Sequence, residues 1–105
     1  MAVILQVHFP FPGPFGDEMA EALAPLAESI NAEPGLLWKI WTEDAERQLA
    51  GGVYLFASRQ DAEAYRQMHT ARLEGMGVTG IEAQILETNE ALTRINGGPL
   101  ARAGG

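Results

Sequence analysis

The chain has 105 residues, enough for one domain with a real core, and 47% of them are hydrophobic against 20% charged. Acidic side chains number 14 against 7 basic ones, for a formal net charge of -7, and with no Lys/Arg cluster to follow a phosphate backbone the composition argues against nucleic acid. Cysteine is absent and histidine occurs twice, which excludes disulfides and a thiol nucleophile and argues against any metal centre.

The N-terminus lacks a basic region followed by an apolar run, and no apolar stretch nears the roughly 20 residues that a bilayer span needs. The expectation is a cytoplasmic protein with no membrane contact. Residues 2 to 9 alternate as a strand, with Val3, Leu5, Val7 and Phe9 on one face and Ile4, Gln6 and His8 on the other. The next residues, PFPGPFGD, are too rich in proline and glycine for regular structure and leave Phe11 and Phe15 on a stiff loop. Asp17 is placed to cap a first helix, along which Ala20, Leu23, Ala27 and Ile30 recur at helical spacing and Pro25 interrupts one hydrogen bond.

Pro34 and Gly35 end that helix, and a second strand follows at about 36 to 43, with Lys39, Trp41 and Glu43 on one face and Trp38, Ile40 and Thr42 on the other. LAGGVYLFA pairs with it as a hairpin. Ser58 and Asp61 open a second helix that runs to Gly75, its inward stripe being Ala62, Tyr65, His69, Leu73 and Met76. Residues 78 to 87 read as a fourth strand, Glu90 to Ile95 as a short helical turn, and 97–105 as a flexible tail after a single domain over 1–96.

The order βαββαβ is the ferredoxin-like α+β arrangement, an antiparallel sheet with both helices on one face. The uncovered face is expected to hold Gln6, His8, Lys39, Trp41, Tyr54, Phe56, Gln84 and Leu86. That mixture is too apolar for bulk water, so a homodimer packed sheet to sheet is expected. Gly75 to Gly80 spells GxGxxG, but it follows a helix and precedes a strand, the reverse of the dinucleotide-binding order.

The candidate catalytic residues are His69, His8 and Arg72. His69 is either a general base or a satisfied core histidine; Arg72, three residues on, either stabilises an anion or pairs at the surface. His8 either shapes a pocket mouth or bonds across a dimer interface. Trp38 and Trp41 point opposite ways, so at most one of them enters a single pocket. Tyr54 and Tyr65 are candidate donors to a substrate oxygen, and Phe11 and Phe15 a candidate lid, each with packing as its alternative.

The blocks LQVHFPFPGPFGD, LAESINAEPGLLWKIWTE, AGGVYLFA and HTARL, in this order and spacing, resemble the small monooxygenases of the YdhR type over about residues 4 to 96. The resemblance implies a dimeric α+β barrel like that of the antibiotic-biosynthesis monooxygenases, a group that includes oxygenases working without metal, flavin or other cofactor. It implies an oxygenase that takes an aromatic or polycyclic, enolisable small molecule and molecular oxygen. Relatives of this fold also suggest two alternatives: a non-catalytic small-molecule-binding dimer, and a haem-binding or haem-degrading enzyme in which a histidine holds the iron.

Overall fold

A computed structural model describes residues 2–102. Four strands, β1 (Val3–Pro10), β2 (Leu36–Asp44), β3 (Leu49–Phe56) and β4 (Glu82–Glu87), form one sheet in the order β2-β3-β1-β4. Every neighbouring pair is antiparallel. Helix α1 (Gly16–Ile30) links β1 to β2, α2 (Arg59–Gly75) links β3 to β4, and α3 (Glu90–Ile95) follows β4. This is the expected βαββαβ topology.

Register decides which side chains meet the helices. Leu5 lies opposite Tyr54 on β3 and Ile85 on β4, and Val3 lies opposite Phe56. These residues pack with Ile30, Leu36, Ala62, Tyr65 and Leu73 into one core. Tyr54, Phe56, Leu5 and Ile30 are fully buried, each contributing about 1.5–3 kcal/mol over an exposed side chain.

Across the hairpin, Lys39 pairs with Tyr54 and Trp41 with Gly52, so β2 presents Lys39 and Trp41 to the helix side as well. The expectation that Lys39, Trp41, Tyr54 and Phe56 occupy the uncovered face is therefore corrected. Their sharing of one face was right, but the face is the covered one. A register shift between Leu36 and Trp38 adds a residue to β2, so that Leu36 enters the core while Trp38 pairs with Leu55 on the other side. The open face carries Ile4, Gln6, His8, Trp38, Ile40, Val53, Gln84 and Leu86.

Two boundaries and one buried position differ from expectation. Helix α1 opens at Gly16, and its first amide donates to both carboxylate oxygens of Glu43 on β2, at 3.1 and 3.2 Å. Asp17 sits inside the first turn; the acceptor comes from a strand 27 residues away rather than from the local chain. Strand β4 starts at Glu82, because the Val78 amide is still closing α2 on the Leu73 carbonyl and Gly80 turns with φ +69. Met76 lies just past the end of α2 and is 63% exposed, so it leaves the buried stripe that Ala62, Tyr65, His69 and Leu73 do form.

Ser58 caps α2 as expected, accepting from the Asp61 amide. Beyond α3, the Pro99 carbonyl accepts from Trp38 Nε1 at 3.2 Å and Arg102 donates to the Asn31 carbonyl. The remainder of the expected tail, 103–105, lies outside the described residues. Among those described, no helix is long and apolar enough to cross a membrane.

Candidate functional site

Between the covered side of the sheet and the two long helices lies a narrow cleft of about 70 Å³, partly open to solvent. Strand β1 gives it Val7 and Phe9, β2 gives Lys39 and Trp41, and β3 gives Tyr54; α1 contributes Met19, Leu23 and Leu26, and α2 contributes His69 and Leu73. Phe11 closes one end from the proline-rich loop, held edge-to-face between Phe9 and Phe15 at 6.1 and 5.8 Å. Among the described residues no carboxylate lines it.

The two cations near this cleft have no acidic partner. Among the described residues neither Lys39 nor Arg72 makes an ion pair; the pairs that form are exposed ones of Arg47, Arg59 and Arg94. Lys39 runs along the sheet over Gly52, where a Cβ would lie 2.7 Å from its Cε and 3.3 Å from Tyr54 Cε1. Gly52 is thus the gap that admits the lysine. Its Nζ stands 3.3 Å from the centroid of the Trp41 ring and 4.5 Å from that of Tyr54. Burial, aided by the charge of Arg72, lowers its pKa to about 7.

Arg72 stands behind the cleft wall. Its Nη2 lies 2.8 Å from His69 Nδ1 and 3.5 Å from the Tyr65 hydroxyl, while its buried Nε has no partner. A guanidinium only donates, so Nδ1 accepts and the imidazole carries its proton on Nε2. Burial first, then the charges of Arg72 and Lys39, bring the pKa of His69 down to about 4, which keeps the ring neutral near pH 7. Tyr65 stacks on it at 5.1 Å, and the hydroxyls of Tyr54 and Tyr65 share a 3.4 Å hydrogen bond. Burial raises both phenols above the ordinary tyrosine value, so both stay protonated.

Of the residues singled out in the sequence, His69, Trp41, Tyr54 and Phe11 line the cleft. Arg72 and Tyr65 touch His69 from behind, and Phe15 packs on Phe11 just before α1. His8 and Trp38 fall on the opposite face by strand alternation, His8 beside a separate shallow groove with Asp44 and Arg47. Neither joins the other candidates. In His69, Nδ1 accepts from Arg72 and Nε2 carries the proton, so the ring's remaining polar atom is a donor.

Lys39 and Gly52 were absent from the candidates. The signal was present, since Lys39 is the chain's one lysine and shares an alternation face with Trp41, but the pairing of β2 against Gly52 is not readable from either strand alone.

The fold has solved counterparts. A putative antibiotic biosynthesis monooxygenase from Deinococcus radiodurans superposes with a TM-score of 0.56 at 14% identity, over 85% of this chain and 93% of that one. At that identity the likeness concerns the fold. No curated protein matches the chain. The model of one family, described as putative mono-oxygenase ydhR, matches residues 4–99, and with nearly its whole length inside that match the chain belongs to the ydhR mono-oxygenase family.

Proposed function

We propose that the protein is a cofactor-independent monooxygenase acting on an aromatic or polycyclic, enolisable small molecule. The observation that carries this reading is the cleft itself: aromatic and aliphatic walls, two cationic side chains at or behind them, and, among the described residues, no carboxylate. Such walls offer apolar contact to a flat aromatic molecule, and its anion is the charge state they favour. His69 Nε2–H and the Tyr54 hydroxyl are donors for the anionic oxygen, with Arg72 holding the imidazole in its donating form.

An enolate is electron-rich enough to reduce O2. Electron transfer followed by C–O bond formation gives a peroxide, and loss of water from it leaves a carbonyl, so that a CH2 group plus O2 becomes C=O plus H2O. All the electrons come from the substrate. The protein's part is to generate and hold the anion and to shield it from bulk water.

Anthrone is a suitable probe because it enolises and carries the reactive CH2 between two aromatic rings. Protein dialysed against chelator should consume one O2 per carbonyl formed, with one oxygen-18 atom from labelled O2 in the product. Saturable binding with no oxygen uptake would instead identify a binding protein. Activity that vanished with the chelator and returned with a metal would retire the cofactor-free mechanism.

The oligomer is part of the same proposal. Ile40 and Leu86 are 57% and 44% exposed on the open face, beside Trp38 and Val53, and a second copy docked there would cover them. Sedimentation at micromolar concentration should give a dimer. A folded monomer would remove it from the proposal.

A further inference from the structure

We propose that Lys39 is the proton acceptor of this cleft, taking the proton from the carbon acid bound beside it; the inference deepens the oxygenase reading and rests on it. It follows from what each neighbouring element offers. From α2, His69 has its Nδ1 bonded to Arg72 and its other nitrogen protonated, Arg72 is a permanent cation, and Tyr65 is held protonated by burial. From β3, Tyr54 is likewise a protonated phenol. Strand β1 and helix α1 present Val7, Phe9, Met19, Leu23 and Leu26, none of which titrates. Glu43, two residues along β2 from Trp41, is bonded to the Gly16 amide. Among the described residues, Lys39 alone has a nitrogen in the cleft whose lone pair, once free, is bonded to nothing.

The environment pulls the amine both ways, which is what a proton acceptor needs. Burial and the Arg72 charge favour the neutral amine, whereas the faces of Trp41 and Tyr54 at 3.3 and 4.5 Å favour the ammonium. In the step, the C–H bond next to the substrate carbonyl breaks and an N–H bond forms on Nζ. The electron pair of the broken bond stays in the substrate as the enolate. No electron leaves the pair, and the new ammonium stands between two aromatic rings and next to the anion it has made. The amine must start unprotonated, so proton transfer should increase with pH from about 6 to about 8, around the value that burial sets.

Anaerobic titration with anthrone separates this step from oxygen chemistry. Wild-type protein should produce the visible absorbance of the enolate, while Lys39→Met should still bind anthrone, read by tryptophan quenching, and form the enolate about 100-fold more slowly. Lys39→Arg, which keeps a cation but accepts no proton, should behave like Lys39→Met and serves if that variant does not fold. With no variant at all, reductive 13C-methylation of the lone lysine provides an NMR signal that should move to its protonated position when anthrone binds. Equal rates of enolate formation in wild type and variants, no enolate in wild type, or an unmoved signal overturns the proposal. Anaerobic enolate followed by no uptake on admitting air would retain Lys39 and retire the oxygenase reading.

Discussion

Arg72→Gln is expected to lower turnover of an enolisable substrate near neutral pH by about 100-fold, the scale for loss of a preorganised donor, and to move the rate profile to higher pH. The second effect is the diagnostic one. Arg72 reaches the cleft through others: it holds His69 as an Nε2–H donor and lends the positive charge that adds to burial in lowering both His69 and Lys39. Without it the pKa of Lys39 rises, less free amine exists near pH 7, and the rising limb of the profile shifts to the alkaline side. Arg72→Lys keeps the charge and should restore the position of the profile better than it restores the rate. A purely structural arginine would reduce thermal stability and leave the profile in place, and an unshifted profile in folded Arg72→Gln would remove Arg72 from the positioning of this site.

The second large effect separates two adjacent glycines on β3. At Gly51 a Cβ would run into the Val7 carbonyl oxygen and lie 2.9 Å from its carbon, in the middle of the β1–β3 pairing. Backbone cannot yield there, so Gly51→Ala should cost about 3 kcal/mol, an overpacking penalty at the upper end of the usual range. For a domain of this size that corresponds to a fall in Tm of roughly 10 °C or more. At Gly52 the obstacle is the flexible stem of Lys39. Gly52→Ala should change Tm by only a few degrees, because the lysine stem can move aside, while displacing the amine and slowing anaerobic enolate formation. Equal losses of stability at the two positions would contradict this division.

The sequence carried the fold further than the site. Period-two alternation in AVILQVHF and in LLWKIWTE correctly grouped Val3 with Leu5 and Val7, and Lys39 with Trp41. Which group faces the helices depends on pairing between distant strands, and that was assigned to the wrong side for β2 and β3. Tyr54 and Lys39 look like surface residues in isolation; Tyr54 is buried because its hydroxyl finds Tyr65, and Lys39 is half-buried because Gly52 leaves it room. The cap of α1 was misplaced for the same reason, since Glu43 supplies it from another strand. His69 and Arg72 were grouped correctly by helical spacing, but the tautomer that changes their roles depends on which imidazole nitrogen meets the guanidinium, and spacing says nothing of that.

The partnerless cations have a consequence for traffic. The protein carries 14 acidic residues to 7 basic ones, yet the charged side chains nearest its cleft are the basic Lys39 and Arg72. A ligand already ionised in solution meets repulsion on approach, whereas its neutral conjugate acid passes the rim freely and ionises only after entry. Added salt should therefore speed the arrival of a permanently anionic analogue and leave that of a neutral one nearly unchanged. Under the oxygenase proposal a product that is a neutral ketone would leave without an ion pair to break, so the site would admit an acid, retain its conjugate base and release the ketone.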